Sequence, residues 1–240
     1  MRGDLGDGWW QRLGASLTPT EHWQIQNFAR NGETFASLLK LVQRDQEANS
    51  PRFVGDLALI SCGTNDALAK TSTPARIAYN FYWGTRASSP DSVALAMAVA
   101  RQLRQRYHRV GLLLPPSPHV SQESGRFGEE LRHLRSSLLK ARPLFEAQSQ
   151  LELLEINSPK DQSEAPTHTD FPQGLSAIVR GYLRKKVFAE PTAIEFWHDG
   201  IHLGRQGGDA FLQLSLDFIT RAIHNMGETT ELNNDSHRTP

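Results

Sequence analysis

Cysteine is almost absent from this sequence, since Cys62 is the only one among 240 residues. A single cysteine excludes an internal disulfide and a zinc site built from several cysteine ligands. It is consistent with a reducing compartment. Met1 is not followed by the basic region and short apolar run of a secretory signal. We therefore expect a cytoplasmic protein.

Long apolar runs and an excess of one charge are also lacking. No stretch approaches the roughly 20 apolar residues that cross a bilayer, and 26 acidic residues balance 26 basic ones. Neither of the glycine-rich nucleotide-binding motifs occurs. We expect no membrane span, no nucleic-acid partner and no cofactor. The 38% hydrophobic content suffices for one domain, predicted over 1–226, before a disordered polar tail over 227–240.

Short apolar runs alternate with segments of helical periodicity. Three runs predict buried strands, at 56–61, 109–114 and 151–156, and a weaker run lies at Trp23–Phe28. The helical spacing predicts helices over 34–46, 92–107, 128–145, 175–187 and 207–223. This alternation predicts a parallel sheet covered on both faces, with the active site at the carboxyl ends of the strands. The aromatic-rich segment 72–91 is either an insertion on the substrate side or an ordinary packed loop.

The segment Asp199-Gly200-Ile201-His202 places a carboxylate three residues before a histidine. Near the C-terminus of an α/β chain, this pair can supply two members of a hydrolytic triad. The acid orients the imidazole, which acts as the general base. Alternatively, Glu195, His198 and His202 have the spacing of metal ligands on a helix. Gly200 interrupts such a helix, and we expect no metal.

Two upstream segments have the composition of an oxyanion-binding site, which stabilises negative charge on a substrate oxygen. Gly63-Thr64-Asn65-Asp66 follows a predicted strand, and the Asn65 amide can donate to a developing oxyanion. Gly32 opens a predicted helix and can donate its backbone N–H to the same oxygen. The alternatives are a simple strand-ending turn and a helix start capped by Thr34 or Asn31.

Taken together, these segments resemble the SGNH (GDSL) hydrolase superfamily, over about residues 3 to 220. The resemblance implies a flavodoxin-like, three-layer α/β/α sandwich with a parallel sheet. It also implies that His202 is the base, Asp199 its partner, and Gly32 and Asn65 the oxyanion donors. The implied activity is that of a serine esterase or acylhydrolase acting on a small-molecule ester.

The sequence departs from this family at the nucleophile, which is the serine of a Gly-Asp-Ser block at the end of the first strand. Gly3-Asp4-Leu5 has leucine at the serine position, and no apolar strand precedes it. The following Gly6-Asp7-Gly8-Trp9 resembles what comes after the serine in many members. We therefore expect that the first strand and its serine lie upstream of Met1, in a chain truncated at its N-terminus. The alternative is a catalytically inactive SGNH-like binding protein.

Overall fold

The computed structural model describes residues 9–17, 23–29, 33–48, 51–71, 77, 91–118, 125–148, 150–156 and 205–235. Three of the four predicted site residues, Gly32, Asp199 and His202, lie outside these ranges. The same is true of 72–90 apart from Ile77, and of the helix predicted over 175–187. Among the site residues predicted from sequence, only Asn65 can be placed.

Three parallel strands form the described sheet, in the order β1-β2-β3. They are β1 (Gly55–Ser61), β2 (Tyr107–Leu113) and β3 (Leu151–Leu154). Ile60 pairs with Leu112, and Leu112 pairs with Leu153. The three strong strand predictions and their parallel arrangement are confirmed. Because the strands are parallel, the ends of β1, β2 and β3 meet at one carboxyl edge.

The described part of the chain contains seven helices. They are α1 (Trp9–Ser16), α2 (Phe35–Gln46), α3 (Thr64–Lys70), α4 (Ser92–Arg104), α5 (Arg126–Lys140), α6 (Arg142–Glu146) and α7 (Arg205–Asp235). Helices connect the strands, as parallel pairing requires. The fold is therefore mixed α/β.

Apolar side chains cover both faces of the sheet, because successive residues of a strand point in opposite directions. Leu112 and Leu153 belong to a core cluster with residues of α2, α4 and α5. Their neighbours Leu113 and Leu154 belong to a second cluster with residues of α1 and α7. Helices thus lie on both faces, which is compatible with an α/β/α layout. Gly111 of β2 packs closely against α7 on this second face, since a Cβ added to it would lie 3.2 Å from Phe218 Cε2.

The weaker strand prediction, Trp23–Phe28, is wrong. Residues 23–29 have no regular structure and join no strand ladder within the described residues. Asn27 Oδ1 instead accepts a hydrogen bond from the backbone N–H of Ala29 at 2.9 Å, as in an Asx turn. The Phe28 ring lies 4.4 Å from that of Phe53. Phe28 and Trp23 therefore pack against the core without pairing as a strand, while Ile25 between them is exposed.

Two predicted helix boundaries also need correction. The helix predicted over 92–107 ends at Arg104, because Tyr107 pairs with Gly55 as the first residue of β2. The helix predicted over 128–145 divides at Ala141 into α5 and α6. Pro143 lies in the first turn of α6. Proline lacks a backbone N–H and is suited to the start of a helix, not to its interior.

The last helix, α7, is longer than the predicted 207–223 and continues to Asp235. It thus extends into the segment predicted as a disordered tail, 227–240. An established helix lengthens by one backbone hydrogen bond per residue without a new nucleation step. Within the described ranges, no helix is both long and apolar enough to cross a membrane.

Candidate functional site

The turn after β1 is closely packed at the carboxyl edge of the sheet. Gly63 has φ +113° and precedes the first residue of α3. Glycine adopts this left-handed region without the steric penalty of a Cβ. A Cβ added there would lie 3.3 Å from Pro115 Cγ and 3.4 Å from Phe35 Cε2. The end of β1 is thus in contact with the loop after β2 and with the start of α2.

The start of α2 is fixed by a capping box. Thr34 Oγ1 accepts the backbone N–H of Ser37 at 3.3 Å, and Ser37 Oγ accepts the backbone N–H of Thr34 at 2.9 Å. Thr34 is thus the helix cap, one of the two caps that the sequence allowed as the alternative to an oxyanion role for this segment, and it is buried. Reciprocal caps satisfy two of the amides that a helix start leaves without partners. They also hold the backbone just before α2 in one conformation.

Asn65 connects the two segments predicted to bind an oxyanion. Its side-chain Nδ2 donates a hydrogen bond to the backbone oxygen of Glu33, at 3.0 Å. A side-chain amide nitrogen carries two hydrogens. The bond to Glu33 uses one of them and restricts the rotation of the amide. The structure therefore brings Asn65 into contact with the segment that directly follows Gly32 in the chain.

The next residue, Asp66, makes a second connection that the sequence analysis missed. Its carboxyl oxygens lie 3.3 and 3.1 Å from the backbone nitrogen of Phe35, which donates to them. The Phe35 amide belongs to the first turn of α2, where helices have no internal acceptor. Asp66 is only 6% exposed. The Gly63-Thr64-Asn65-Asp66 motif was visible in the sequence, but the hydrogen-bond partner of Asp66 lies 31 residues away along the chain.

Cys62 lies beside this pair of contacts. Its Sγ is 3.6 Å from the backbone oxygen of Glu33 and 3.9 Å from Asp66 Oδ2. Burial raises the pKa of the Cys62 thiol well above its ordinary value, and the Asp66 carboxylate raises it further. The thiolate is the nucleophilic form of cysteine. The thiol is thus protonated at neutral pH and unsuited to act as a nucleophile.

Burial also dominates the titration of Asp66. It raises the pKa of this carboxyl to about 7, while the Phe35 amide and the positive charge of Lys70 oppose the shift. A carboxyl with this pKa is partly protonated at neutral pH. Its uncharged form retains one oxygen that accepts the Phe35 N–H. Asp66 can therefore accept the Phe35 N–H, and so connect α3 to α2, whether its carboxyl is charged or neutral.

The rest of the carboxyl edge is held together by Arg135 of α5. Its guanidinium donates to the backbone oxygen of Pro115 at 2.9 Å and to that of Ile156 at 3.3 Å. It also donates to Glu155 Oε1 at 2.6 Å, while Arg142 donates to Glu155 Oε2 at 3.1 Å. The loops after β2 and β3 are thus joined beside the candidate site.

Within the described ranges, no group of three or more histidine, cysteine, aspartate or glutamate side chains is placed so that it could hold a metal ion. The chain matches no protein-family model, no curated protein and no solved structure. The resemblance to SGNH hydrolases consequently depends on the sequence motifs alone.

Proposed function

We propose that this protein is an acyl hydrolase of the SGNH type that acts on a small-molecule ester. The observation that supports the proposal is the 3.0 Å hydrogen bond from Asn65 Nδ2 to Glu33 O. It connects an amide donor after one strand with the backbone next to Gly32. Convergent, preorganised N–H donors are what an oxyanion site requires. The site also lies at the carboxyl edge of a parallel sheet, where ligands bind in this class of fold.

In the proposed reaction, a serine hydroxyl attacks the ester carbonyl. His202 accepts its proton, and Asp199 orients and stabilises the resulting imidazolium. Asn65 and the backbone N–H of Gly32 donate to the oxyanion of the tetrahedral intermediate. The intermediate expels the alcohol, which receives the proton from His202. Water activated by His202 then hydrolyses the acyl-enzyme and regenerates the serine.

The proposal assigns the serine to none of the 240 residues. Every Gly-Asp pair in the sequence is followed by a residue other than serine. Ser16 ends α1 and Ser61 ends β1, so neither has the sequence context of the family nucleophile. This absence favours a second candidate function, that of an SGNH-like protein that binds a ligand without cleaving it.

The two functions are separated by labelling the protein, purified from its natural source, with a fluorophosphonate. This probe reacts covalently with activated serines. Under the first proposal it labels one serine, and the protein hydrolyses p-nitrophenyl acetate. His202→Ala and Asp199→Asn should abolish most of both signals. Turnover that His202→Ala leaves unchanged would contradict the triad assignment. Absence of labelling and of turnover would instead favour the binding protein.

A further inference from the structure

Two adjacent side chains of α3 contact two positions of the segment that leads into α2. Asn65 donates to the backbone oxygen of Glu33, and Asp66 accepts from the backbone nitrogen of Phe35. One contact uses a carbonyl and the other an N–H, so the two contacts fix both the position and the orientation of the intervening backbone. A single contact would leave that backbone free to rotate about it.

The environment makes the Asp66 contact hard to replace. Phe35 is fully buried, Thr34 is 1% exposed, and Asp66 itself is 6% exposed. Asp66 also lies next to the apolar cluster that contains Ala67, Ala69 and Leu131. Water is excluded from such surroundings, so loss of the carboxyl would leave the Phe35 N–H buried without an acceptor. Local rearrangement of residues 33–35 would then be favoured.

We infer that Asp66 is a positioning residue, which acts through Asn65 by holding the start of α2 at the distance that an oxyanion site needs. This inference rests on the proposed function. Asp66 touches no reacting atom in it. Its role is to set where the backbone of Glu33 and Thr34 lies relative to the Asn65 amide.

The chemistry of Asp66 supports this role. Burial raises the pKa of its carboxyl to about 7, so keeping it ionised at neutral pH opposes folding. A buried carboxyl with such a raised pKa is more typical of functional sites than of ordinary core positions. Its backbone partner in another segment, Phe35, belongs to the first turn of the helix next to the candidate site.

Asp45, a residue of α2, provides a matched control. It is 5% exposed, and it accepts the backbone N–H groups of Arg52 and Phe53, each at 2.8 Å from Oδ2. Like Asp66, it is a buried carboxylate that binds the backbone of another segment. It lies in the last turn of α2, away from the candidate site. Its loss should affect stability alone.

The test compares Asp66→Ala, Asp66→Asn and Asp45→Ala in ester hydrolysis. Asp66→Ala should lower kcat by about ten- to a hundred-fold, the size of effect expected from a small misplacement, with KM nearly unchanged. Asp66→Asn keeps an oxygen acceptor and should restore most of kcat. Asp45→Ala should lose stability with kcat unchanged. Equal kcat per folded molecule in wild type and Asp66→Ala would overturn the inference.

A second readout distinguishes failure of this inference from failure of the proposed function. The side-chain amide resonances of Asn65 and hydrogen exchange at Phe35 can be followed without any substrate. Asp66→Ala should shift those resonances and speed that exchange, whereas Asp45→Ala should do neither. Unchanged signals in Asp66→Ala would refute the positioning role even in an active enzyme. If the wild type hydrolyses no ester, the esterase proposal fails, and these signals still decide whether Asp66 positions Asn65.

If Asp66→Ala does not fold, Asp66→Asn carries the test. It should fold, retain kcat and keep the Asn65 resonances close to those of the wild type. A folded Asp66→Asn protein with a large loss of kcat would contradict a role that depends on accepting the Phe35 N–H.

Discussion

Asp66 binds a backbone amide at the start of α2, and Asp45, near the end of the same helix, binds two amides of the segment that follows it. Burial affects the titration of these two carboxyls differently. At Asp45, burial acts to raise the pKa, but the N–H groups of Phe53 and Arg52 and the Arg52 guanidinium outweigh it, so the pKa is lowered. At Asp66, burial prevails and raises the pKa to about 7. At Asp66, the N–H groups of Phe35 and of Asp66 itself and the charge of Lys70 lower the pKa, but they do not outweigh burial. The balance between burial and these contacts decides the direction.

The raised pKa of Asp66 predicts a pH-dependent loss of stability towards neutrality. Below its ordinary value of 3.8, this carboxyl is protonated in both the folded and unfolded states. As the pH rises from about 4 to 7, the unfolded chain gains the free energy of ionisation while the folded protein stays protonated. The contribution of Asp66 to the free energy of unfolding should therefore fall over this range. Urea denaturation of wild type and Asp66→Asn at several pH values measures the difference, and parallel profiles would contradict it.

The lowered pKa of Asp45 predicts the opposite dependence. Its ionised form is stabilised in the folded protein, so this contribution is present above the ordinary value of 3.8. It should be lost as the pH falls through the folded-state pKa. The wild type should consequently lose stability in acid more steeply than Asp45→Asn. Thermal unfolding of both proteins between neutral and strongly acidic pH checks this, and an equal acid sensitivity would refute it.

Asn65→Ala should lower the kcat of the proposed esterase by about a hundred- to a thousand-fold, because an oxyanion donor is lost. The bond to Glu33 O is lost as well, and its net contribution to stability is about 0.5–1.5 kcal/mol. Kinetics with p-nitrophenyl acetate and urea denaturation measure the two effects separately. A stability loss without a change in kcat would identify Asn65 as a turn residue only.

Gly63→Ala should destabilise the protein by about 1–3 kcal/mol, the usual cost of a strained backbone conformation. Gly63 combines φ +113° with contacts of 3.3 Å to Leu134 and Pro115 for any added Cβ. Gly14→Ala is the control, because Gly14 lies within α1 and alanine is the better helix former by about 1 kcal/mol. The midpoint of thermal unfolding should fall for the first variant and not for the second. Equal midpoints would exclude strain at Gly63.

Arg135→Met should destabilise the protein by about 1–3 kcal/mol, because the backbone oxygens of Pro115 and Ile156 lose their donor. Glu155 would keep its contact with Arg142. Arg142→Met is the comparison: its side chain is 33% exposed against 11% for Arg135, so water can replace more of its contacts. Urea denaturation should show a clearly smaller loss for Arg142→Met. An equal or larger loss would contradict the assigned role of Arg135.

Local patterns sufficed to predict most of the secondary structure. The three buried strands follow from short, dense apolar runs, and α2 follows from a four-residue periodicity that begins after Thr34. The predictions are wrong where contacts with residues distant in sequence determine the secondary structure. Tyr107 was predicted within a helix but pairs with Gly55 in the sheet. Trp23–Phe28 has a strand-like composition but lacks a strand partner within the described residues.

Within the candidate site, a residue was predictable only where a short local motif contains it. Asn65 was recognisable because a glycine, a small residue and an asparagine follow a strand. Asp66 was not recognised as a site residue, because its function depends on the amide of Phe35, 31 residues earlier. The Arg135 contacts were also missed, since nothing near Arg135 in sequence indicates that Pro115 and Glu155 lie beside it.

The sequence by itself determined the alternation of strands and helices, because apolar periodicity and capping act over a few neighbouring residues. It also determined that cysteine chemistry is limited to Cys62, and it predicts which side chains would donate to an oxyanion under the proposed function. Only the tertiary structure decided that α3 contacts the start of α2 through Asn65 and Asp66. It also decided the opposite titration of Asp45 and Asp66, because the burial of a carboxyl and the hydrogen bonds that it accepts depend on how the folded segments pack around it.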